Sequence, residues 1–215
     1  MLKQTLAAIL ATTAAFGTVA TLSAQDAPAV PGATDPSRVT AGSYALDASH
    51  TQVQWQVSHF GFNDYFGLFG DIEGTMQLDP ANIDATTLDV TIPITSVAVS
   101  SSGLRDHLLR DGKDGGAPDF FGSAPPPARF VSNDVRRIDA TRAAIFGTLT
   151  MNGKSGPVTL LAEFSGAGAN PRSKVETVGF HATASINRSD WGIGFGVPLV
   201  GDEVALQISA AFEKQ

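Results

Sequence analysis

The chain contains no cysteine among its 215 residues. That absence excludes disulfide bonds, thiol catalysis, thiolate metal ligands and a lipoprotein anchor attached through cysteine. Basic residues are also few, with 14 lysines and arginines against 21 aspartates and glutamates and a formal net charge of −7. Because no basic run or basic patch interleaved with aromatic residues is present, we expect no nucleic-acid partner.

Histidine is scarce as well, with four residues in the whole chain. The sequence has no His-Glu-x-x-His pair, no His-x-His and no clustered carboxylates, so we expect no metal site. The Gly-x-Ser-x-Gly elbow of serine hydrolases is absent too. Gly192, Gly194 and Gly196 are not followed by a helical pattern, which excludes a dinucleotide-binding loop. These absences favour a binding protein over an enzyme.

The N-terminus has the organisation of a secretory signal. One basic residue, Lys3, precedes an uncharged run over residues 5–20 and a small-residue site that ends at Ala24. This pattern predicts a signal peptide over 1–24 that is cleaved after Ala24, and therefore export to the periplasm. A membrane anchor is the alternative, but the strongly apolar part is short and a proline-rich polar stretch follows it at once.

The remaining chain divides into two parts. Prolines at 28, 31 and 36 predict a flexible leader over residues 25–40. Residues 41–215 are long enough for one domain whose core needs no disulfide support.

Apolar and polar residues alternate with a period of two through most of the domain. The alternating runs cover residues 53–59, 72–78, 88–94, 158–164, 178–186 and 204–212. Less regular strands are expected at 44–47, 129–138 and 143–151. Strands with one polar and one apolar face are typical of antiparallel sheets. With eight or nine strands and no intervening helical pattern, we predict an all-β fold, and a closed barrel rather than a sandwich because closure removes exposed edges.

One long connection breaks the alternation. Residues 96–121 contain a short helix candidate at 103–110, followed by a glycine-rich stretch. Asp106 and Arg110 stand four residues apart, a spacing that supports an exposed helical turn. Long loops on a rigid scaffold concentrate function, so we predict that this connection forms the portal of the barrel.

The inner strand faces leave two interpretations open. Bulky residues such as Trp55 alternate there with small ones, and neighbouring side chains either fill the space beside the small residues or leave a tunnel. The small residues are Gly74, Gly147, Ala162, Ala182, Ala184 and Ala210. If a tunnel exists, its wall is almost purely hydrocarbon, so its ligand is an acyl or isoprenoid chain rather than a sugar or peptide.

Several ordered motifs between Tyr44 and the C-terminus resemble one known family. The motifs are Tyr44-x-Leu46-Asp47-x-x-His50-Thr51-x-Val53-x-Trp55-x-Val57-x-His59-x-Gly61, Phe66-Gly67-x-Phe69, Leu104-Arg105-Asp106-x-Leu108, Asp119-Phe120-Phe121, Gly147-Thr148-Leu149-Thr150-x-x-Gly153, Ile186-x-Arg188-Ser189-Asp190-Trp191-Gly192 and Gly201-Asp202-x-Val204. In this order they resemble the YceI-like family of polyisoprenoid-binding periplasmic proteins. The chain departs from the family pattern at an apparent insertion over 111–118 and at the three prolines of 125–127, both beside the predicted portal.

The resemblance implies an extended, eight-stranded, lipocalin-like antiparallel barrel with a short helical segment in one connection. It also implies that the interior holds an amphiphile such as a polyisoprenoid, a quinone tail or a fatty amide, without a catalytic mechanism or a cofactor other than that lipid. A homodimer is a further expectation from the resemblance alone.

Strand faces and motifs together give a set of candidate ligand-binding residues. They are Trp55, Val57, His59, Phe66, Phe69, Met76, Leu104, Arg105, His107, Leu108, Phe120, Phe121, Phe164 and Phe180. His59 is either a core histidine bonded to a carbonyl oxygen or a hydrogen-bond donor to a ligand head group. Arg105 and His107 either contact an anionic or carbonyl head group or belong to a solvated helical turn.

Three functions follow. The first is a periplasmic carrier of a long-chain lipid that makes transient contact with a membrane or a membrane redox protein. The second is a hydrolase or isomerase that uses His107, Asp106 and a serine of 100–102. The third is a quinone-linked partner of a membrane redox protein.

Overall fold

The computed structural model describes residues 30–215, so the predicted signal peptide and its cleavage site lie outside the described residues. Ten strands carry the fold: β1 (Gly42–Leu46), β2 (Gln52–His59), β3 (Asn63–Phe69), β4 (Glu73–Leu78), β5 (Thr87–Ile92), β6 (Ala128–Arg137), β7 (Arg142–Met151), β8 (Lys154–Ala169), β9 (Glu176–Asn187) and β10 (Val200–Lys214). One α-helix, α1 (Ser102–Leu108), lies between β5 and β6. Short 3₁₀ turns occur at Pro36–Arg38, Ile83–Ala85, Ile94–Ser96, Lys113–Gly115 and Arg188–Trp191.

The strands close into an eight-stranded antiparallel barrel. The last strand, β10, pairs with β2 over its first two thirds and with β1 near its end. β1 and β2 therefore occupy one strand position of the barrel, with a break between them. β3 pairs with β2 and β4 pairs with β1, so β3 and β4 likewise occupy one strand position with a break between them. From β4 onwards each strand pairs with the next until β10. The predicted fold class is confirmed.

β3 is the strand that the alternation pattern missed. Its outer face carries Phe66 and Leu68, while Gly67 interrupts the inner face between Tyr65 and Phe69. Because both faces carry aromatic or aliphatic residues, no period of two is visible. β3 is instead held in its strand conformation by pairing with β2, because each residue of β3 lies opposite a residue of that regular strand.

The predicted helix is confirmed with shifted ends. α1 starts one residue earlier, because the Ser101 side chain accepts a hydrogen bond from the Leu104 N–H and caps the helix. It ends at Leu108, before Arg110. Asp106 and Arg110 therefore do not lie in the same helix, and Arg110 binds Asp119 at 3.0 Å.

The later part of the predicted leader packs against the barrel. Ala33 exchanges two backbone hydrogen bonds with Ala167 in β8. The Glu176 carboxylate accepts hydrogen bonds from the backbone and hydroxyl of Thr40 and from the Tyr44 hydroxyl. These backbone and side-chain bonds hold the segment from Ala33 to Thr40 on the barrel wall.

The apolar faces of the strands point into the barrel, where their side chains form two buried clusters. One lies at the end where β10 terminates and includes Tyr44, Met76, Phe164, Val178 and Phe212. The other lies towards α1 and includes Phe130, Leu149, Met151, Trp191 and Ile193. No helix within residues 30–215 has the length and hydropathy needed to cross a bilayer.

Candidate functional site

Two cavities occupy the barrel interior. The upper chamber, at the α1 end, has a volume of about 480 Å³. The lower chamber, at the end where β10 terminates, has a volume of about 220 Å³. Four apolar side chains line both chambers: Val53, Ile92, Leu149 and Leu206. The two chambers therefore lie on either side of this level, which we call the waist.

Most of the predicted ligand-binding residues lie on these walls. The upper chamber is lined by Trp55, Val57, His59, Phe69, Leu104, His107, Leu108, Phe120 and Phe121. The lower chamber is lined by Met76, Phe164 and Phe180. β2, β3, α1 and the segment after α1 thus bring together side chains that are up to 66 positions apart in sequence.

Phe66 and Arg105 lie elsewhere. Phe66 is on the outer face of β3 and is 49% exposed. Arg105 donates hydrogen bonds to the carbonyl oxygens of Val97 and Thr95, so it fastens α1 to the preceding turn. Neither side chain lines a chamber.

The space beside some of the small inner residues is filled by neighbouring side chains, whereas the space beside others is open. A Cβ added at Gly147 would collide with the ring of Phe130, so the space beside that glycine is filled. Ala162, Ala182 and Ala210, in contrast, line the lower chamber. The interior is therefore packed at some levels and open at others.

Three aromatic rings border the upper chamber near α1. The His107 ring stands edge-on to Phe120 at 5.0 Å and to Phe195 at 5.2 Å, measured between ring centroids. Phe120 and Phe195 are 5.6 Å apart. Edge-to-face contacts of this kind stabilise aromatic pairs, so the cluster joins the α1 connection to the loop before β10.

His107 is held by a carboxylate that follows α1. Its Nε2 lies 2.8 Å from Oδ2 of Asp119, which also accepts a hydrogen bond from Arg110. The hydrogen bond to His107, followed by that to Arg110, lowers the pKa of Asp119 below its usual range. Asp119 therefore stays ionised and holds the side chains of both His107 and Arg110 against the same loop.

His59 lines the upper chamber with its ring between two aromatic neighbours. The ring centroid lies 4.0 Å from Phe60 and 4.8 Å from Tyr65. Within residues 30–215 the His59 side chain has no hydrogen-bond partner, so the bond to a carbonyl oxygen, one of the two alternatives for this residue, is not formed. One ring nitrogen of a neutral histidine donates and the other accepts, which leaves both functions available to a ligand.

Arg188 supplies a buried cation beside the same chamber. The side chain is 5% exposed, and its guanidinium donates to the carbonyl oxygens of Gly201, Ile193 and Val200. Burial lowers its pKa. These carbonyl bonds fix the loop over 192–199 next to the chamber.

The 111–118 insertion stays outside the upper chamber. Asp111 accepts hydrogen bonds from the backbone and the hydroxyl of Ser123, which tie the start of the insertion to the segment that follows it. This contact lowers the pKa of Asp111. The insertion thus extends the connection outward, and the chamber wall is continued by Leu108 on one side and Phe120 on the other.

Sequence reasoning missed part of the upper wall. Tyr65 lines it because β3 was not predicted, and Phe195 lines it although it lies between two glycines in a loop. The only signal was the presence of large aromatic residues in segments that are otherwise small or polar.

The geometry does not assemble the catalytic group of the enzyme hypothesis. His107 faces Asp119 rather than Asp106, which is exposed. The Ser101 hydroxyl is engaged by the Leu104 N–H as the cap of α1. Within the described residues there is also no cluster of three or more metal-ligating side chains. The walls thus form a long apolar space with His59 and His107 at the upper end, while Arg137, Asp139 and Arg142 are among the residues that line the lower chamber.

Comparisons with known proteins agree with this architecture. A protein from Pseudomonas putida that is named a UPF0312 protein is 34% identical over 218 aligned positions and covers 100% of both chains. The Campylobacter jejuni YCEI protein is 29% identical, with a TM-score of 0.61 over 74% of this chain and 90% of that one. A polyisoprenoid binding domain from Saccharophagus degradans, 14% identical, shares the fold with a TM-score of 0.53 over 80% of this chain and 98% of that domain.

The family model described as YceI-like domain matches residues 44–212, which include every strand of the barrel except the ends of β1 and β10. With that match, and with relatives of this identity along its whole length, the chain belongs to the YceI-like family.

Proposed function

We propose that this protein binds and carries a long-chain amphiphilic lipid in the periplasm, with the hydrocarbon chain running from the upper chamber through the waist into the lower chamber. The observation that carries the proposal is the pair of apolar chambers that share one wall at the waist. The polar groups of His59 and His107 lie at the upper chamber, where a head group would rest.

Chain burial supplies enough free energy for this role. Each methylene removed from water contributes about 0.8 kcal/mol. A dozen methylenes therefore contribute roughly 10 kcal/mol before the cost of ordering the ligand is subtracted. Because this interaction is not directional, the barrel selects for chain length and slenderness more than for a single head group.

The class of ligand and the compartment have separate support. The S. degradans domain, which shares the fold, is named for polyisoprenoid binding, so a polyisoprenoid, a quinone tail or a fatty amide is the class we propose. Periplasmic location is supported by the signal-like segment over residues 1–24.

The proposal is tested on protein purified from cells without detergent. We expect native mass spectrometry to detect one lipid per chain and organic extraction to recover it. A protein that is free of lipid and also fails to bind added long-chain amphiphiles would contradict the proposal.

A matched pair of variants locates the ligand. Leu206→Asn places an amide in the waist and is expected to weaken binding by at least about tenfold, because the amide loses its water without gaining a partner. Ala205→Asn changes the exposed face of the same strand and should bind as the wild type does. Thermal unfolding verifies that both variants are folded.

A further inference from the structure

Exposed apolar side chains are concentrated around the mouth of the upper chamber. Of the ten large hydrophobic residues that are exposed within residues 30–215, five lie on the turn between β2 and β3 or on the loop before β10. We call these five the apolar collar: Phe60, Phe62, Phe195, Val197 and Leu199. Scattered exposed apolar residues are ordinary on protein surfaces, whereas a contiguous group of them indicates a contact site.

Backbone hydrogen bonds hold the two collar segments together. The Phe60 N–H donates to the Leu199 carbonyl oxygen at 2.7 Å. The Phe62 N–H closes the hairpin turn by donating to the His59 carbonyl oxygen. Phe62 stands at the tip of that turn with 89% of its surface exposed. The collar is thus a fixed surface from which side chains project.

The collar is continuous with the chamber. Phe60 and Phe195 each line the upper chamber and are also about half exposed, at 49% and 47%. A hydrocarbon chain that leaves the chamber beside these two rings passes directly onto the collar. A ligand chain would therefore pass from the barrel interior to the collar along these two phenyl rings, with the His59 and His107 rings beside them.

Charge is absent from the collar loops. Residues 55–63 and 191–201 contain no aspartate, glutamate, lysine or arginine, and the first charges beyond them are Asp64, Asp190 and Asp202. With acidic residues at its margins and no cation within it, the surface complements an uncharged apolar phase rather than an anionic one.

We propose that the apolar collar inserts into the surface of a lipid bilayer and places the mouth of the upper chamber against it. This inference rests on the proposed function and adds the route by which the lipid enters and leaves. A projecting tip such as Phe62 suits a fluid partner, because a second protein copy would have to present a matching recess. Apolar side chains that enter the headgroup and acyl boundary contribute in proportion to the area they bury.

The test measures binding of the full chain to vesicles of phosphatidylcholine by flotation. The double variant Phe62→Ser Leu199→Ser removes two collar side chains that do not line either chamber. We expect its vesicle partition coefficient to fall by at least about tenfold. The control Ile138→Ser Leu161→Ser removes two exposed residues away from the collar and should bind vesicles as the wild type does.

Ionic conditions separate insertion from electrostatic adsorption. We expect vesicle binding to be unaffected by added salt, and to weaken when phosphatidylglycerol replaces part of the phosphatidylcholine, because the flanking charges are acidic. Equal binding by the collar and control variants, or no binding by the wild type, overturns the proposal. So does a wild-type dimer, detected by light scattering, that the collar variant converts to monomer without any vesicle binding by the wild type.

Failure of this inference and failure of the proposed function give different results. If the collar variant retains its lipid on extraction but no form of the protein binds vesicles, the carrier function stands and the bilayer contact is wrong. If the wild type binds vesicles through the collar but neither retains nor takes up lipid, the bilayer contact stands and the carrier function is wrong.

Discussion

At the residue scale, Gly67 shows how one position shapes the upper chamber. A Cβ added there would collide with the indole ring of Trp55, which lies across the glycine from the neighbouring strand. Gly67 therefore lets the indole lie flat against the wall. In this position the Trp55 Nε1–H is buried and has no hydrogen-bond partner. Burial of this unpaired N–H is unfavourable for the folded state, but it leaves the chamber wall apolar at this level.

We predict that Gly67→Ala lowers the free energy of unfolding by about 1–3 kcal/mol, because the added methyl group displaces a large ring in a packed site. The displaced indole would also narrow the upper chamber and weaken lipid binding. Urea unfolding followed by tryptophan fluorescence measures the stability. Gly70→Ala is the control, since a Cβ there meets no atom within 4 Å; equal losses in the two variants would show that the ring contact is unimportant.

Some residue positions could be predicted from the sequence and others could not. Alternation along β2 placed His59 on the chamber wall because a strand has a fixed period of two. Its lack of a hydrogen-bond partner was not predictable, since that depends on Tyr65 in a strand without a visible pattern. The partners of Arg188 were not predictable either, because they are carbonyl groups up to 13 residues away whose positions depend on the fold of the loop.

At the scale of elements, α1 and the segment after it form a wall that is held at both ends. Arg105 fastens the helix to the turn before it, and Asp119 binds His107 and Arg110 from the turn after it. The helix has only seven residues, too few to be stable alone in water. These side-chain contacts and the packing of Leu108 therefore determine its position.

We predict that Asp119→Asn accelerates lipid release a few fold while leaving the global unfolding transition near that of the wild type. The amide lacks the charge that binds His107 and Arg110, and both contacts are local to the portal. The dissociation rate of a fluorescent long-chain amphiphile measures the effect, and Asp106→Asn, at an exposed position of α1, is the control. An unchanged rate in Asp119→Asn would mean that the contact does not restrain the portal.

The same contact gives the expected pH dependence. Because the pKa of Asp119 is lowered in the folded protein, ionisation stabilises the portal at pH values above the ordinary aspartate value of about 4. That stabilisation is lost as the pH falls below this value and through the lowered pKa. Lipid release from the wild type should therefore accelerate in this acidic range, and release from Asp119→Asn should depend less on pH.

At the scale of the whole molecule, ring closure explains why an interior space persists. Eight strands form a barrel that side chains can nearly fill, and rings such as that of Phe130 do fill it locally. Where alanines of β8, β9 and β10 face inward together, the lower chamber remains open. Periodicity could predict the closed sheet, but it could not predict which levels are filled, because that depends on contacts between strands far apart in sequence.

The central claim is that one hydrocarbon chain extends through the waist into the lower chamber, and Ala182 offers the most direct test. This alanine is 9% exposed and lies on the wall of the lower chamber, whereas Thr183 lies on the outer face of the same strand. The measurement is the chain-length distribution of lipids bound by Ala182→Phe, Thr183→Phe and the wild type, determined by mass spectrometry from one mixture of amphiphiles. We expect the distribution of bound lipids to shift to shorter chains in folded Ala182→Phe alone, because the phenyl ring occupies the lower chamber. An unchanged distribution in folded Ala182→Phe would contradict it.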